Sequence, residues 1–263
     1  MVSNMFFAAL RNQNLLVVAG ALTIVACGHH TDTQAETPRS TGASTAVPAN
    51  ATSSTPVILL RAKFEPRAIR KVEIGDFHFT PGQVPPVHTH AAPALGYVSK
   101  GSIIYQVEGQ PAQILKAGDA FFEPVGPQIV HFDNASQTDE AVFTDFNFER
   151  PGEPFIVFAT PPVDLKLDRR TLPTVEWPNG PEVSAIDIYA QTLEPGASVQ
   201  RPVKELPVVG YIAEGSLVVR LPSGSQSIAA GKSFDVPAQQ AGVTFTNPST
   251  SAQAKVILFE ATL

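Results

Sequence analysis

From Val57 onward, apolar and polar positions alternate in short runs. "SIIYQVEG" (Ser102–Gly109), "PAQILKAGDAFFEP" (Pro111–Pro124) and "SLVVRLPSG" (Ser216–Gly224) mix β-branched and aromatic residues, and Gly, Pro or Asn interrupts them. Interruptions every eight to twelve residues or so predict short antiparallel strands closed into a sandwich or barrel. "VEGQPAQ" and "LPSGSQS" read as hairpin turns. The amino-terminal part follows neither pattern. Leu15 to Ala26, "LLVVAGALTIVA", is an uncharged apolar run, and Gly28 to Pro56 has no aromatic residue and a single aliphatic larger than Ala, Val47.

The strand-like part repeats itself. "TPGQVPPVHTHAAPALGYVSKGS" (Thr80–Ser102) aligns without gaps on "EPGASVQRPVKELPVVGYIAEGS" (Glu194–Ser216). Pro81-Gly82, Gly96-Tyr97 and Gly101-Ser102 return as Pro195-Gly196, Gly210-Tyr211 and Gly215-Ser216. Further on, Gly118, Phe121, Pro124, Phe132, Asn134 and Ser136 return as Gly231, Phe234, Pro237, Phe245, Asn247 and Ser249. A fixed spacing over so many positions indicates a duplicated domain.

Composition narrows the classes. At 263 residues and 43% hydrophobic, the chain can bury one large core or two modest ones. Its 24 prolines and 18 glycines fit turns better than long helices. A net charge of −6 without a basic cluster leaves no footprint for nucleic acid. The single cysteine, Cys27, excludes an internal disulfide and a thiolate metal cluster.

Cys27 closes the apolar run as Ile24-Val25-Ala26-Cys27. The run is too short to span a bilayer and suits the core of a secretory signal. With its small residues before a cysteine, it resembles a bacterial lipobox. That resemblance implies a signal peptide over 1–26, cleavage before Cys27, and acylation of Cys27 as a membrane anchor in the cell envelope. Gly28 follows Cys27, which by the same analogy points to the outer membrane. The segment 27–56 reads as a disordered tether with a reach of about 30 Å. His29 and His30 fall within it as solvated residues.

The two histidines of "VHTHAAPALGYVSKG" carry the candidate chemistry. Residues i and i+2 of a strand project from one face roughly 7 Å apart, so His88 and His90 can converge on one ion. Neutral imidazole suits Fe, Zn, Mn, Ni or Cu. Gly82, His88, His90 and Gly101, followed by Gly118, Pro124 and Gly126, resemble the two motifs of the cupin superfamily. The resemblance implies an all-β chain of two tandem cupin (jelly-roll) barrels: 57–160, a connection over 161–180, and a degenerate second barrel over 181–263. It also implies a divalent metal held by two histidines, a Glu and a third His. Ala94 stands at the Glu position and Ile129 at the third-His position. His131, two residues on, is the third candidate ligand, and Glu123 is a candidate for the missing carboxylate. In the second copy Pro202, Lys204, Val208 and Gly242 occupy the ligand positions. His78, between Phe77 and Phe79 on the opposite face, reads as a hydrogen-bonded strand residue. The phenylalanine-rich runs "DAFFEP" and "FTDFNFERPGEPFIVF" offer apolar walls for a small ligand.

Three functions stay open at this point. One is a metal-dependent enzyme of dioxygenase-like, isomerase or hydrolase type acting on a small organic molecule. The second is a non-catalytic envelope lipoprotein that binds a small ligand beside a vestigial metal site. The third is a structural module that assembles through its barrel faces, as in a homodimer. The fold alone does not choose among them.

Overall fold

The computed structural model describes residues 53–162 and 164–263. The expected signal segment, Cys27, His29, His30 and the expected tether as far as Thr52 lie outside the described residues. Among the described residues there is no helix. In chain order the strands are β1 (Val57–Ala68), β2 (Lys71–Phe79), β3 (His88–Thr89), β4 (Ala94–Lys100) and β5 (Ser102–Val107). There follow β6 (Gln113–Lys116), β7 (Ala120–Glu123), β8 (Ile129–Asn134), β9 (Ala141–Glu149) and β10 (Val157–Phe158). Next come β11 (Asp168–Thr171), β12 (Val175–Glu176), β13 (Glu182–Leu193), β14 (Ser198–Gln200) and β15 (Val208–Glu214). The last are β16 (Ser216–Leu221), β17 (Gly224–Ala229), β18 (Ser233–Val236), β19 (Thr244–Thr246) and β20 (Ala254–Thr262).

The first half folds as two facing sheets, β11-β2-β9-β4-β7 and β10-β3-β8-β5-β6. The second half repeats the plan with β1-β13-β20-β15-β18 and β14-β19-β16-β17. Every ladder within these sheets is antiparallel. The all-β, jelly-roll expectation is therefore met. Strand pairing nevertheless crosses the expected boundaries. β1 opens the expected first barrel in sequence yet pairs with β13, Val57 opposite Ala190 and Ala68 opposite Glu182. In return, β11 and β12 from the connecting segment pair with β2. The last residues of the expected tether are also fixed: Ser53 bridges Leu193, and the Ser54 N–H donates to the Thr192 carbonyl at 2.9 Å. Sequence periodicity defines which residues form strands but not their neighbours, so these exchanges are invisible to it.

Repeated residues do repeated work. Gly96 lets the Phe121 ring lie against its backbone, where a Cβ would come within 2.0 Å of Phe121 Cζ; Gly210 does the same for Phe234 at 2.1 Å. Asn134 Nδ2 faces the carbonyls of Phe79, Thr80 and Asp139 at 3.2, 2.9 and 2.8 Å. Asn247 Nδ2 faces those of Leu193, Glu194 and Ala252 at 3.0, 3.1 and 2.8 Å. Each asparagine thus ties three backbone carbonyls from two separate stretches of the chain to one side chain.

Three apolar clusters hold the molecule. One fills the first barrel around Phe79, Phe121, Phe132 and Phe143. Another fills the second around Leu217, Phe234, Phe245 and Val256. The third lies between the barrels, where Phe146, Phe148, Leu95 and Tyr97 meet Ile186, Tyr211, Ile257 and Phe259. Phe146 and Phe259 occupy matching positions of the two copies, and their rings touch with centroids 4.1 Å apart. The barrels therefore meet through the same face of each. Strand β9 is buried along its whole length because it serves both a barrel interior and this interface. Its alternation puts Phe146 and Phe148 on the interface side and Asp145 and Asn147 on the barrel side.

Candidate metal centre

Short elements place the ligands. After Pro85-Pro86 the chain enters β3, and the Pro86 carbonyl lies 3.0 Å from His88 Nδ1, which turns Nε2 of His88 inward. His90 Nδ1 faces Asn147 Oδ1 at 3.2 Å, and its Nε2 likewise points into the barrel. Hydrogen bonds of this kind on Nδ1 fix the tautomer that leaves Nε2 free to coordinate. Glu123 ends β7, where the bond from the Tyr105 hydroxyl to the Phe122 carbonyl secures the strand.

His88, His90 and Glu123 each present an atom within 4.8 Å of the other two, and all three are buried. Glu123 Oε2 lies 3.2 Å from His90 Nε2, and Oε1 lies 3.6 Å from His88 Nε2. At these separations His90 Nε2 and Glu123 Oε1 are nevertheless buried without a hydrogen-bond partner. Unsatisfied buried atoms converging on one point are what a coordinated ion would satisfy. The donor set, two imidazoles and one carboxylate, fits one divalent transition metal.

The carboxylate expected at position 94 comes from the next strand. Ala94 pairs directly with Glu123 across the β4–β7 ladder, so the ligand moves sideways while the site stays in place. His131, expected as a third histidine, lies outside the cluster. In a regular strand it would share the face of Ile129. Here β8 carries an extra residue: Gln106 pairs with His131 while Val107 pairs with Ile129, a bulge at Val130. Ile129 therefore stays buried opposite His88, and the half-exposed His131 turns outward to Asp133, with Nδ1 to Oδ2 at 2.7 Å. His78 is likewise removed from the site, between Glu140 at 3.1 Å and Asp76 at 3.4 Å.

Two groups that motif reading missed complete the surroundings, Asn147 and Asp145. Their signal was present in "TDFNFE", whose strict alternation puts Asp145 and Asn147 on one face. Asn147 also donates from Nδ2 to the Phe155 carbonyl at 3.1 Å, which ties His90 to the segment that roofs the barrel. Asp145 is buried with Oδ1 unpartnered. Burial, and then the charge of Glu123, pushes its carboxyl up to about 8. For His90 burial acts downward, but the nearby Glu123 carboxylate wins and raises it to about 9. Burial raises Glu123 while His90 and His88 lower it, and their pull holds it well below the ordinary carboxylate range. In the absence of a metal the cluster is thus an imidazolium–carboxylate pair.

Above the ligands is a cavity of about 30 Å³. Phe77, Phe79, Phe132 and Phe143 form its walls, and Phe155, Ile156, Phe158 and Leu167 its roof. The phenylalanine-rich run after Ala141 supplies both a wall and the roof.

The second barrel has chosen different chemistry at the matching place. Val236 stands where Glu123 is, and Glu260 pairs with Val208 as Asn147 does with Ala94. Lys204 Nζ, at the His90 position, lies 2.6 Å from Glu260 Oε2, and Arg201 Nη2 lies 2.9 Å from Oε1. Two side-chain cations thus compensate the buried carboxylate.

Residues 75–147 match the family model described as Cupin domain. No curated protein matches the chain in sequence. Among solved structures, the chain is similar to the salicylate 1,2-dioxygenase of Pseudaminobacter salicylatoxidans, with 13% identity and a TM-score of 0.51 over 73% of this chain and 71% of that one. It is similar to AerE of Microcystis aeruginosa, with 15% identity and a TM-score of 0.53 over 79% and 98%. It is also similar to YhaK of Escherichia coli, with 11% identity and a TM-score of 0.50 over 78% and 93%. At such identities the likeness is one of fold. Motif spacing, barrel topology and the family match agree, and residues 75–147 are a cupin domain with a buried His88–His90–Glu123 cluster suited to one metal ion.

Proposed function

We propose that the chain is a mononuclear metal-dependent cupin enzyme that acts on a small organic molecule in its first barrel. The observation that carries this reading is the convergence of His88, His90 and Glu123, buried and with unsatisfied donor atoms, beneath an apolar cavity. Two histidines and one carboxylate form the donor set of non-haem iron(II) oxygenases, which favours dioxygenase-like chemistry. A divalent ion held there by His88, His90 and Glu123 would supply a Lewis-acidic centre. The protein residues do the rest. Asn147 keeps the His90 ring oriented, Pro86 does so for His88, and the phenylalanine walls exclude water. Asp145, a buried carboxyl lining the same cavity, is placed to give or take a proton beside the ligands.

The second barrel serves as scaffold in this reading, since its matching positions hold Lys204 and Arg201 paired with Glu260 in place of metal ligands. The anchor belongs to the proposal too: a lipid on Cys27 would hold the enzyme at the cell envelope, with the tether giving it reach.

Elemental analysis of protein purified without added metal tests the reading. About one divalent ion per chain is expected, lost in His88→Ala/His90→Ala and strongly reduced in Glu123→Gln, each with an unchanged β-type circular dichroism spectrum. A wild type that stays metal-free against iron, zinc, manganese, nickel and copper in turn would refute it. The non-catalytic ligand-binding lipoprotein would then be the better reading.

A further inference from the structure

Granted a metal at His88, His90 and Glu123, the cavity over it restricts what the metal can meet. Apart from the ligands, the only ionisable group lining it among the described residues is Asp145, and no described lysine or arginine faces it. Arg169 comes near, but it stacks on Phe155 with its guanidinium 3.8 Å from the ring centroid and is paired with Glu73 at 2.6 Å. A carboxylate substrate would have the metal as its sole cation, and its second oxygen would lie among phenylalanine rings near a buried acid. Burying that charge with no side-chain cation beside it costs more than a single neutral donor such as a protonated Asp145 returns, so the site selects against it.

Size restricts it further. A volume of about 30 Å³ holds about one water molecule. A ring-sized substrate must displace the roof, which is latched to the ligands twice. Asn147 bonds both His90 and the Phe155 carbonyl. Phe158 pairs with His88 in the β10–β3 ladder.

We infer that the metal site selects compact, uncharged molecules with an apolar body and a single oxygen donor, such as a phenol, alcohol or ketone, and that Phe155 and Phe158 set the size limit. Carboxylates are rejected because no side-chain cation faces the cavity.

The test uses the full chain loaded with cobalt(II), whose visible absorption reports changes in coordination without turnover. Phenol, cyclohexanone and benzoate are titrated separately into the wild type and Phe158→Ala. Phenol and cyclohexanone are expected to shift the spectrum saturably, with benzoate weaker by about tenfold or more. Phe158→Ala should tighten phenol binding several-fold and leave benzoate weak. Benzoate binding as tightly as phenol in either protein would overturn the inference, as would spectra that phenol and cyclohexanone leave unchanged in both. Failure of cobalt to bind at all would instead remove the metal reading, and this selectivity with it.

Discussion

Raising the pH from 7 to 9 should strengthen metal binding steeply, because the ion has to displace a proton from His90. Glu123 holds that imidazole at about 9, against an ordinary value of 6.5. At pH 7 only about one molecule in a hundred then carries the neutral ring that coordination needs. The apparent affinity should rise about tenfold per pH unit between 7 and 9, roughly 2.7 kcal/mol over the interval, and level off above it. The metal-free protein should move in the opposite sense. A raised His90 contributes stability that is complete below 6.5 and lost as pH climbs through about 9. The raised Asp145 acts in the same direction, its contribution falling away between 3.8 and about 8. The increase in melting temperature caused by metal should therefore widen as pH rises. Competition with a chromophoric chelator at pH 7, 8 and 9, corrected for the chelator's own protonation, measures the slope. Calorimetry in two buffers of different ionisation enthalpy should count about one proton released per ion at pH 7. Glu123→Gln removes the charge that raises His90, so it should bind metal weakly and without this slope. A wild-type affinity that is flat from pH 7 to 9, with no proton release, would refute the argument.

Other substitutions probe separate links. His131→Ala should leave metal affinity within about twofold by the same chelator assay, since the bulge at Val130 turns that ring outward. Gly96→Ala and Gly210→Ala should each cost about 2–3 kcal/mol in denaturant unfolding, because the new methyl would overlap the Phe121 or Phe234 ring; a neutral result at either would contradict the close packing. A chain beginning at Val57 should be soluble and unfold cooperatively, whereas one beginning at Arg70 loses β1, exposes β13 and should aggregate, as light scattering would record. Labelled palmitate should enter the wild type in a bacterial host and fail to enter Cys27→Ser, and equal incorporation would remove the lipid anchor from the proposal.

The parts of this molecule that were legible in the sequence are those fixed by local chemistry. Asn134 and Asn247, Gly96 and Gly210 recur because the same loop carbonyls and the same aromatic ring need them twice. His88 and His90 stand out because period-two spacing alone brings them to one face. The remainder depended on which strand lies beside which. Glu123 joins the cluster because β7 pairs with β4 in the register that sets it opposite Ala94, and nothing in "DAFFEP" states that register. His131 failed for the converse reason, since a single inserted residue in β8 reverses the faces beyond it. The exchange of β1 for β11 and β12 is a matter of long-range pairing that no local period encodes.

The meeting of Phe146 with Phe259 has a consequence for how the two halves can diverge. Identical chains that associate through one such face form a symmetric pair, and any substitution then appears at both sites together. Here both partners are one polypeptide, so each can change alone while their ratio and proximity stay fixed at every protein concentration. One half can trade coordinating side chains for Lys204, Arg201 and Glu260, which close on each other and need no ion to remain folded. The other can keep unsatisfied donors buried at His90 and Glu123, a costly arrangement that a small free-standing barrel would bear unaided. Asymmetry between the barrels is thus a division of labour: one half supplies stability that lets the other remain reactive.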